Sequence, residues 1–505
     1  MFNTFKILTL NIGNSTTLAG FLSILRLEKP QIVMLQEVTL SSEQLEVNVA
    51  KYGYKAEANI DILNPTALGT GFVWQSNIPV SDVYNVVECR AQSLKLGPYN
   101  FLNIYAPSGS QHKQARRQFF GQEIFRLVRG FNSGSYPILG GDFNSVLSIK
   151  DTERNFADKN CPALKNLIEN FNYSDGYRVM HPDGVDYTFY RPNCAASRLD
   201  RYYIPLNLLE HVRSVTHKAS IGDHKYVCMN LSLPDLEIEP LPSVSSSPYW
   251  KLNTSILKDD DFLENFSVMY KKLQDKIQDF HDIADWWDHC AKPSIRKFCI
   301  GVSSLLADVR KNTKQYLFAY LNVVLRKGDW EEVVRVRQQL KEILQLETMG
   351  FVVRSRFNEN AETEQASLFH ANREYKKFSK NNHTKLKIDD EIVDNKDKIE
   401  AEVLKYFRAL FNGHHNRDLI DTGSPFVADE SELQDFLYGL GKLSPESQAK
   451  LAKDLTFEEV EHVIKHECEY NKSPGLDGLP STWQLGQSLA RTSTKFFRWR
   501  CPGSD

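Results

Sequence analysis

No C-x-x-C pair occurs in this 505-residue chain. Its eight cysteines, Cys89, Cys161, Cys194, Cys228, Cys290, Cys299, Cys468 and Cys501, are scattered. That spacing argues against a zinc knuckle or a disulfide framework, and idle thiols in a reducing compartment are expected. No apolar run is long enough to span a bilayer. Met1-Phe2-Asn3-Thr4-Phe5-Lys6 leads straight into an apolar strand and lacks a signal-peptide layout. An intracellular chain with no membrane partner is therefore expected. Nor is there an excess of positive charge: 61 Lys and Arg stand against 64 Asp and Glu, a formal net charge of −3. Any nucleic-acid contact must come from local basic surface. Ser108-Gly109-Ser110 lacks the lysine of a phosphate loop. His462 and His466 lack the H-E-x-x-H arrangement of a zinc site, so a solvent-facing pair is expected. No short-period repeat is visible.

What the chain does contain divides it. Its length suggests two or three domains. Residues 1–234 alternate short apolar runs with amphipathic stretches. Ile7–Leu10, Ile32–Leu35, Gly71–Trp74, Phe101–Tyr105 and Pro137–Gly140 read as strands. Leu18, Phe21, Leu22 and Leu25 mark a helix, as do Phe120, Ile124, Leu127 and Phe131, and again Leu164, Leu167, Ile168 and Phe171. Such a mixture fits layered sheets flanked by helices. Residues 235–248, with Pro240, Pro242, Pro248 and Ser245-Ser246-Ser247, have linker composition. Residues 249–412 read as a helical connector. In it Val333, Val336, Leu340 and Ile343 form a paired-helix seam, and Trp286-Trp287 is expected in its core. Between 350 and 388, Arg354, Arg356, Arg373, Lys376, Lys377, Lys380, Lys385 and Lys387 lie among aromatic residues. A solvated helix face suits them as well as a nucleic-acid surface does. Residues 413–455 are irregular. In 456–505, Thr456 and Glu459 form a T-x-x-E capping box that should start a helix.

In the first domain, polar residues stand where apolar strands end. Asn11 follows Leu8-Thr9-Leu10, and Gln36-Glu37 follows Ile32 to Leu35. Tyr105 ends Phe101 to Ile104. Asp142 and Asn144 follow Ile138 to Gly141, Asp200 closes Ser197-Arg198-Leu199-Asp200, and Asp223-His224 precedes Val227-Cys228-Met229. Each alone reads as a turn former or helix cap; together they suggest a site at a sheet rim. Their chemistry is coherent. Magnesium takes oxygen ligands, which Glu37 and Asp223 can supply. Phosphodiester hydrolysis needs a positioned water, a base and neutralisation of phosphate charge. Asp142 can be the base with Asn144 positioning it, His224 paired with Asp200 can stabilise the phosphate, and Tyr105 and Asn11 can donate hydrogen bonds.

The order Leu10-Asn11, Gln36-Glu37, Gly69–Val73, Asn103–Pro107, Gly141-Asp142-Phe143-Asn144, Ser197–Asp200 and Gly222-Asp223-His224 resembles the endonuclease/exonuclease/phosphatase superfamily over about residues 5–233. The resemblance implies an α/β four-layer sandwich followed by the mostly helical connector, and the same roles for Glu37, Asp142, Asn144, Asp200, Asp223 and His224. It also places Thr188, Ser197 and Arg198 on the substrate side. The cofactor it implies is magnesium, with manganese as a substitute, and the partner it implies is DNA.

Further on, Tyr249–Asn253, Gly350–Arg356 with Ser367-Leu368-Phe369, and Asn471–Pro480 resemble the protein of LINE-type (non-LTR) retrotransposons; the last run is similar to the opening of its reverse transcriptase. This implies a DNA-nicking endonuclease, a nuclear location and the RNA of a parent element as a further partner. There are two departures. Gly13 stands where the family usually has Asn or Asp two residues after the Asn11 position, so either the loop shifts or metal binding weakens. No paired aspartates follow Pro480, so 456–505 reads as the truncated start of a polymerase domain without activity. The alternatives are a phosphatase or sphingomyelinase-like phosphoesterase, and a non-catalytic nucleic-acid-binding remnant.

Overall fold

A computed structural model describes residues 4–13, 18–50, 52–61, 64, 67–132, 134–153, 156–233, 236, 250–355, 386–388, 391–393, 395–411, 438, 444–453, 456–462 and 478–479. They fall into two compact units: 1–244 with 310–381, and 245–309 with 382–505.

The first unit is built on two six-stranded mixed sheets. One joins β1 (Thr4–Asn11), β2 (Ile32–Val38), β3 (Tyr54–Asn59), β4 (Gly69–Gln75), β11 (Val212–Lys218) and β12 (Tyr226–Ser232) in the order β11-β12-β1-β2-β4-β3. The other joins β5 (Asp82–Val87), β6 (Ala91–Leu96), β7 (Tyr99–Tyr105), β8 (Tyr136–Asp142), β9 (Tyr173–Asp175) and β10 (Asp200–Pro205) in the order β5-β6-β7-β8-β10-β9. Alternate residues serve different layers, as strand geometry requires. Phe5, Ile7, Met34, Phe101, Ile138 and Tyr202 fill the space between the sheets. Leu8, Leu10, Val33 and Leu35 face the helices Leu18–Glu28 and Ser42–Ala50. Leu102, Ile104, Leu139 and Tyr203 face the helices on the far side, around Phe120, Ile124, Leu164 and Leu167. This is the expected fold, two mixed sheets with flanking helices.

The helix expected to carry Phe120, Ile124, Leu127 and Phe131 runs Lys113–Arg129 with a π turn at Phe119–Ile124, and it stops before Phe131. Two glycines bring the layers together at β8. A Cβ on Gly140 would lie 2.6 Å from Met34 Sδ across the sheets, and Gly141 adopts φ +136 with its own missing Cβ 2.0 Å from the Ile104 carbonyl oxygen. Only glycine fits there, and the next residue is Asp142.

The same unit includes a helical hairpin. The helix Lys292–Lys327, from residue 310 on, turns at Gly328 (φ +69) into the helix Trp330–Ser355. The expected seam forms: Val333, Val336 and Leu340 are buried against Leu317, Phe318, Leu321, Val324 and Leu325, with Ile343 at the margin. The same cluster takes in Tyr190, Ala196 and Ala219 of the sandwich.

In the second unit, Leu252, Phe262, Phe266, Tyr270 and Leu273 pack around Trp286, whose indole Nε1 donates to the Leu273 carbonyl. Trp286 is thus core, as expected. The capping box also forms: Thr456 N donates to Glu459 Oε2 at 2.8 Å and Glu459 N to Thr456 Oγ1 at 3.2 Å, opening the helix Phe457–His462. Cys89, Cys161, Cys194, Cys228, Cys290 and Cys299 are free thiols. Among the described residues no helix is long and apolar enough to cross a membrane. The basic side chains from Arg354 to Lys385, His466, Cys468, Cys501 and the run Asn471–Asp477 lie outside the described residues.

Candidate active site

Strand pairing gathers the expected residues at one rim. β7 and β8 run parallel with Tyr105 opposite Asp142, and β8 and β10 run antiparallel with Asp142 opposite Asp200. From the other sheet, Asn11 ends β1 opposite Gln36 on β2. Glu37 is the extra residue of a bulge, because β2 shifts register against β4 between Gln36 and Val38. Its φ of +58 is a conformation that a non-glycine residue rarely adopts. Bulges re-aim side chains, and this one brings Glu37 to Asn11. Asn11 Nδ2 donates to Glu37 Oε1 at 2.9 Å and to Asp142 Oδ2 at 3.2 Å, so one buried amide joins the two carboxylates and the two sheets. The Tyr105 hydroxyl donates to Glu37 Oε1 at 3.4 Å.

Asn144, also at positive φ (+46), folds back on Asp142. Its backbone N–H donates to Asp142 Oδ1 at 2.9 Å, and its side-chain amide donates to Asp142 Oδ2 at 3.3 Å and to the Ala106 carbonyl at 2.9 Å. His224 Nδ1 lies 2.9 Å from Asp200 Oδ2, and Phe189 packs beside the imidazole. Asp223 is half-exposed beside it.

These groups set one another's charge. Burial, and then the Asp200 carboxylate, push Asp142 up to about 7. Burial opposes protonation of His224, but Asp200, Asp142 and Asp223 outweigh it and hold the imidazole at about 10. The stable arrangement is an imidazolium against Asp200. Burial, Glu37 and Asp142 also raise the Tyr105 phenol, which stays a proton donor.

The donor set fits a divalent cation. Asp142, Asp200 and His224 have ligand atoms within 4.8 Å of one another, and the two carboxylates supply the oxygens a hard cation takes. Asp200 Oδ1 is buried without a hydrogen-bond partner. An orphaned carboxylate oxygen in an acidic cluster is what a bound cation would satisfy. Glu37 stands next to this group through Asn11. Gly13 presses against it from the open side: its N–H donates to Asn11 Oδ1 at 3.0 Å, and a Cβ there would lie 3.8 Å from Glu37 Oε2. Position 13 therefore faces the acidic group and supplies no side-chain oxygen; Asn14 lies outside the described residues.

Thr188, Ser197 and Arg198, expected on the substrate side, are all fully buried. Thr188 Oγ1 accepts from the N–H groups of Leu199 and Asp200 at 2.9 and 3.0 Å, which fixes Asp200 from behind. Ser197 Oγ meets Thr152 Oγ1 and Lys159 Nζ. Arg198 turns inward, with Nε on Asp151 and its two terminal nitrogens on Asp175 at 3.1 and 2.6 Å. A buried guanidinium needs buried carboxylates, and here it has two. Arg90, whose guanidinium lies 4.7 Å from the Tyr105 ring centroid, ends no apolar run, and no motif in the sequence marks it.

The inward network makes the domain acid-sensitive. Burial alone would raise Asp151, but Arg201 and Arg198 hold it well below the usual carboxylate range. Burial likewise opposes the Asp186 charge, but His217, Arg326 and Lys225 hold it down. Carboxylates depressed in the folded state contribute stability that is complete above their unfolded value and is lost as pH falls toward the folded one. Urea midpoints should therefore drop steeply below about pH 4; Asp151→Asn should flatten that drop. An equal acid slope in wild type and Asp151→Asn would contradict this account.

Residues 8–224 match the family described as the Endonuclease/Exonuclease/phosphatase family. Among solved structures, the chain is similar to an AP endonuclease from Archaeoglobus fulgidus, at 20% identity over 45% of this chain and 100% of that one, with a TM-score of 0.41. It is similar to the AP endonuclease LMAP from Leishmania major, at 17% identity over 46% and 88%, with a TM-score of 0.40. It is also similar to the 3′ phosphatase NExo from Neisseria bound to a product DNA hairpin, at 17% identity over 45% and 100%, with a TM-score of 0.39. The match covers residues 8–224, the part of the chain that carries the two flanked mixed sheets and the acidic rim.

Proposed function

We propose that this chain is a magnesium-dependent endonuclease that nicks DNA by hydrolysing a phosphodiester bond. The observation that carries this reading is the convergence of Asn11, Glu37, Tyr105, Asp142, Asn144, Asp200 and His224 at one rim. Asp142, raised by burial and held by Asn144, accepts the proton of the attacking water. The His224 imidazolium, paired with Asp200, meets the phosphate as negative charge grows on it. Tyr105 and Asn11 fix Glu37. Magnesium, or manganese in its place, held by Glu37 and Asp223 with the Asp142–Asp200 group as a second acidic wall, would supply further charge neutralisation.

The LINE-like runs after residue 248 favour DNA over lipid or small-phosphate substrates, and with them origin in a LINE-type element, a nuclear location and contact with that element's RNA. Gly13 favours a second reading, a non-catalytic nucleic-acid-binding remnant. One assay separates the three: purified chain with supercoiled plasmid and magnesium, with and without chelator, beside sphingomyelin and phosphoinositide controls. Chelator-sensitive conversion to open circles is expected. Glu37→Ala should be at least about 10²-fold slower with its fold intact, as when other electrostatic stabilisers are lost. Near-wild-type nicking by that variant would remove Glu37 from the mechanism; no nicking with hydrolysis of a control would leave the phosphoesterase, and no turnover at all the remnant.

A further inference from the structure

We propose that the helical hairpin of residues 310–355 is part of the catalytic unit, with Arg326 and Arg337 acting as positioning residues for the turn Gly222-Asp223-His224-Lys225. The inference rests on the endonuclease reading for its consequence and on geometry for its substance.

That turn carries two proposed site residues, and the hairpin holds both of its flanks. On one side, a terminal nitrogen of Arg337 donates to the Gly222 carbonyl at 2.6 Å, and Asp223 attracts the same guanidinium. On the other, Lys225 Nζ donates to Asp186 Oδ1 at 2.7 Å, and Arg326 grips Asp186 with Nε on Oδ1 at 3.2 Å and a terminal nitrogen on Oδ2 at 2.9 Å. Lys225 and Asp186 are both buried, with His217 packed beside Asp186, so this ion group cannot shift without disturbing residue 225. Between the two grips, Tyr190 N donates to the Asp223 carbonyl at 2.8 Å, and the Tyr190 ring belongs to the apolar cluster shared with the hairpin. A third attachment lies farther away: Lys314 Nζ donates to Ser23 Oγ at 3.2 Å and pairs with Glu347 at 2.7 Å.

The Arg337 arrangement is costly for mere adhesion. Its guanidinium is largely removed from water, yet Nε has no hydrogen-bond partner. A half-satisfied buried cation adds little net stability. What it does is fix a backbone carbonyl two residues before His224. Catalytic groups misplaced by about 1 Å lose rate steeply, so this contact should show itself in turnover more than in stability.

The test compares full-length wild type, Arg337→Met, Arg337→Lys and Val336→Ala by amide hydrogen exchange, thermal melting and plasmid nicking. Val336 is buried in the same helix, in the apolar cluster it shares with the sandwich. Arg337→Met should speed exchange in peptides covering 219–226 by about tenfold and lower kcat by about 10–100-fold, the range for partners that orient catalytic ligands. KM for DNA should change less than about twofold, because a misplaced His224 loses an interaction made mainly in the transition state. Arg337→Lys should recover part of the protection and of kcat. Val336→Ala should lower Tm without moving kcat. Unchanged exchange at 219–226 in Arg337→Met would overturn the proposal whether or not the wild type nicks DNA. Equal kcat losses in Arg337→Met and Val336→Ala would reduce the hairpin to a structural brace. Absence of nicking by wild type would count against the functional reading alone, with the exchange result still deciding the role of Arg337.

Discussion

Asp142→Asn should slow plasmid nicking at saturating DNA by about 10²–10³-fold, the loss seen when one group that acts on transition-state charge is removed. Asp142 sits at the crossing of the site's contacts, opposite Tyr105 on one neighbouring strand and Asp200 on the other, and bonded to Asn11 and Asn144. Asparagine keeps the shape and can still accept from Asn144 N. It cannot take a proton from water. Stability should move little. The buried carboxylate, already pushed up by burial and by Asp200, ceases to repel its neighbours, which offsets the bonds lost at Oδ2. The double variant Asp142→Asn with His224→Ala should fall far short of the summed losses, because base and phosphate contact serve one transition state. Melting curves beside initial nicking rates at saturating DNA would check all of this. Near-wild-type nicking by a folded Asp142→Asn protein would end the assignment, and fully additive losses would assign the two residues to separate steps.

Arg198→Met should lower stability by about 3–5 kcal/mol, the cost of breaking a buried ion pair by removing one partner. Arg198 is 1% exposed and is wedged between Asp151 and Asp175. Burial works against its charge, and Asp175 and Asp151 together raise its pKa all the same. Without it, Asp175 loses its guanidinium and Asp151 keeps Arg178 and a longer contact to Arg201. Urea denaturation measures the loss. Because Arg198 is held in the interior by Asp151 and Asp175, KM in the surviving folded fraction should be unchanged. A variant as stable as wild type but with weakened DNA binding would give Arg198 a substrate role instead.

The contrast between these two residues shows where sequence reading works in this chain. Asn11, Tyr105, Asp142 and Asp200 are legible because each abuts an apolar run whose alternation marks a strand, and a polar residue at its end must leave the core. Glu37 is legible as a residue type but not in its aim, since the bulge that turns it depends on how β2 meets β4. Strand β5 has mostly exposed or half-exposed residues, and β6 carries buried Gln92 and Ser93, so neither shows a clean alternation. Arg198 lies next to a site residue in the chain, and only its partners, 47 and 23 positions away, show that it faces inward. The Arg337 contact spans 115 positions, and nothing local announces it.

The first unit is interrupted along the chain: residues 245–309 belong to the second unit, and the first resumes at 310. During synthesis the sandwich therefore emerges well before the hairpin that covers Tyr190 and pairs with Asp186. At about 5–20 residues per second, the roughly 110 residues between the end of the sandwich and the end of the hairpin take about 5–20 s to appear. Throughout that interval the nascent sandwich presents Asp186 and Lys225 without Arg326, and the Gly222 carbonyl without Arg337. Until the hairpin has left the ribosome and packed, the turn that carries Asp223 and His224 therefore lacks two of its side-chain attachments.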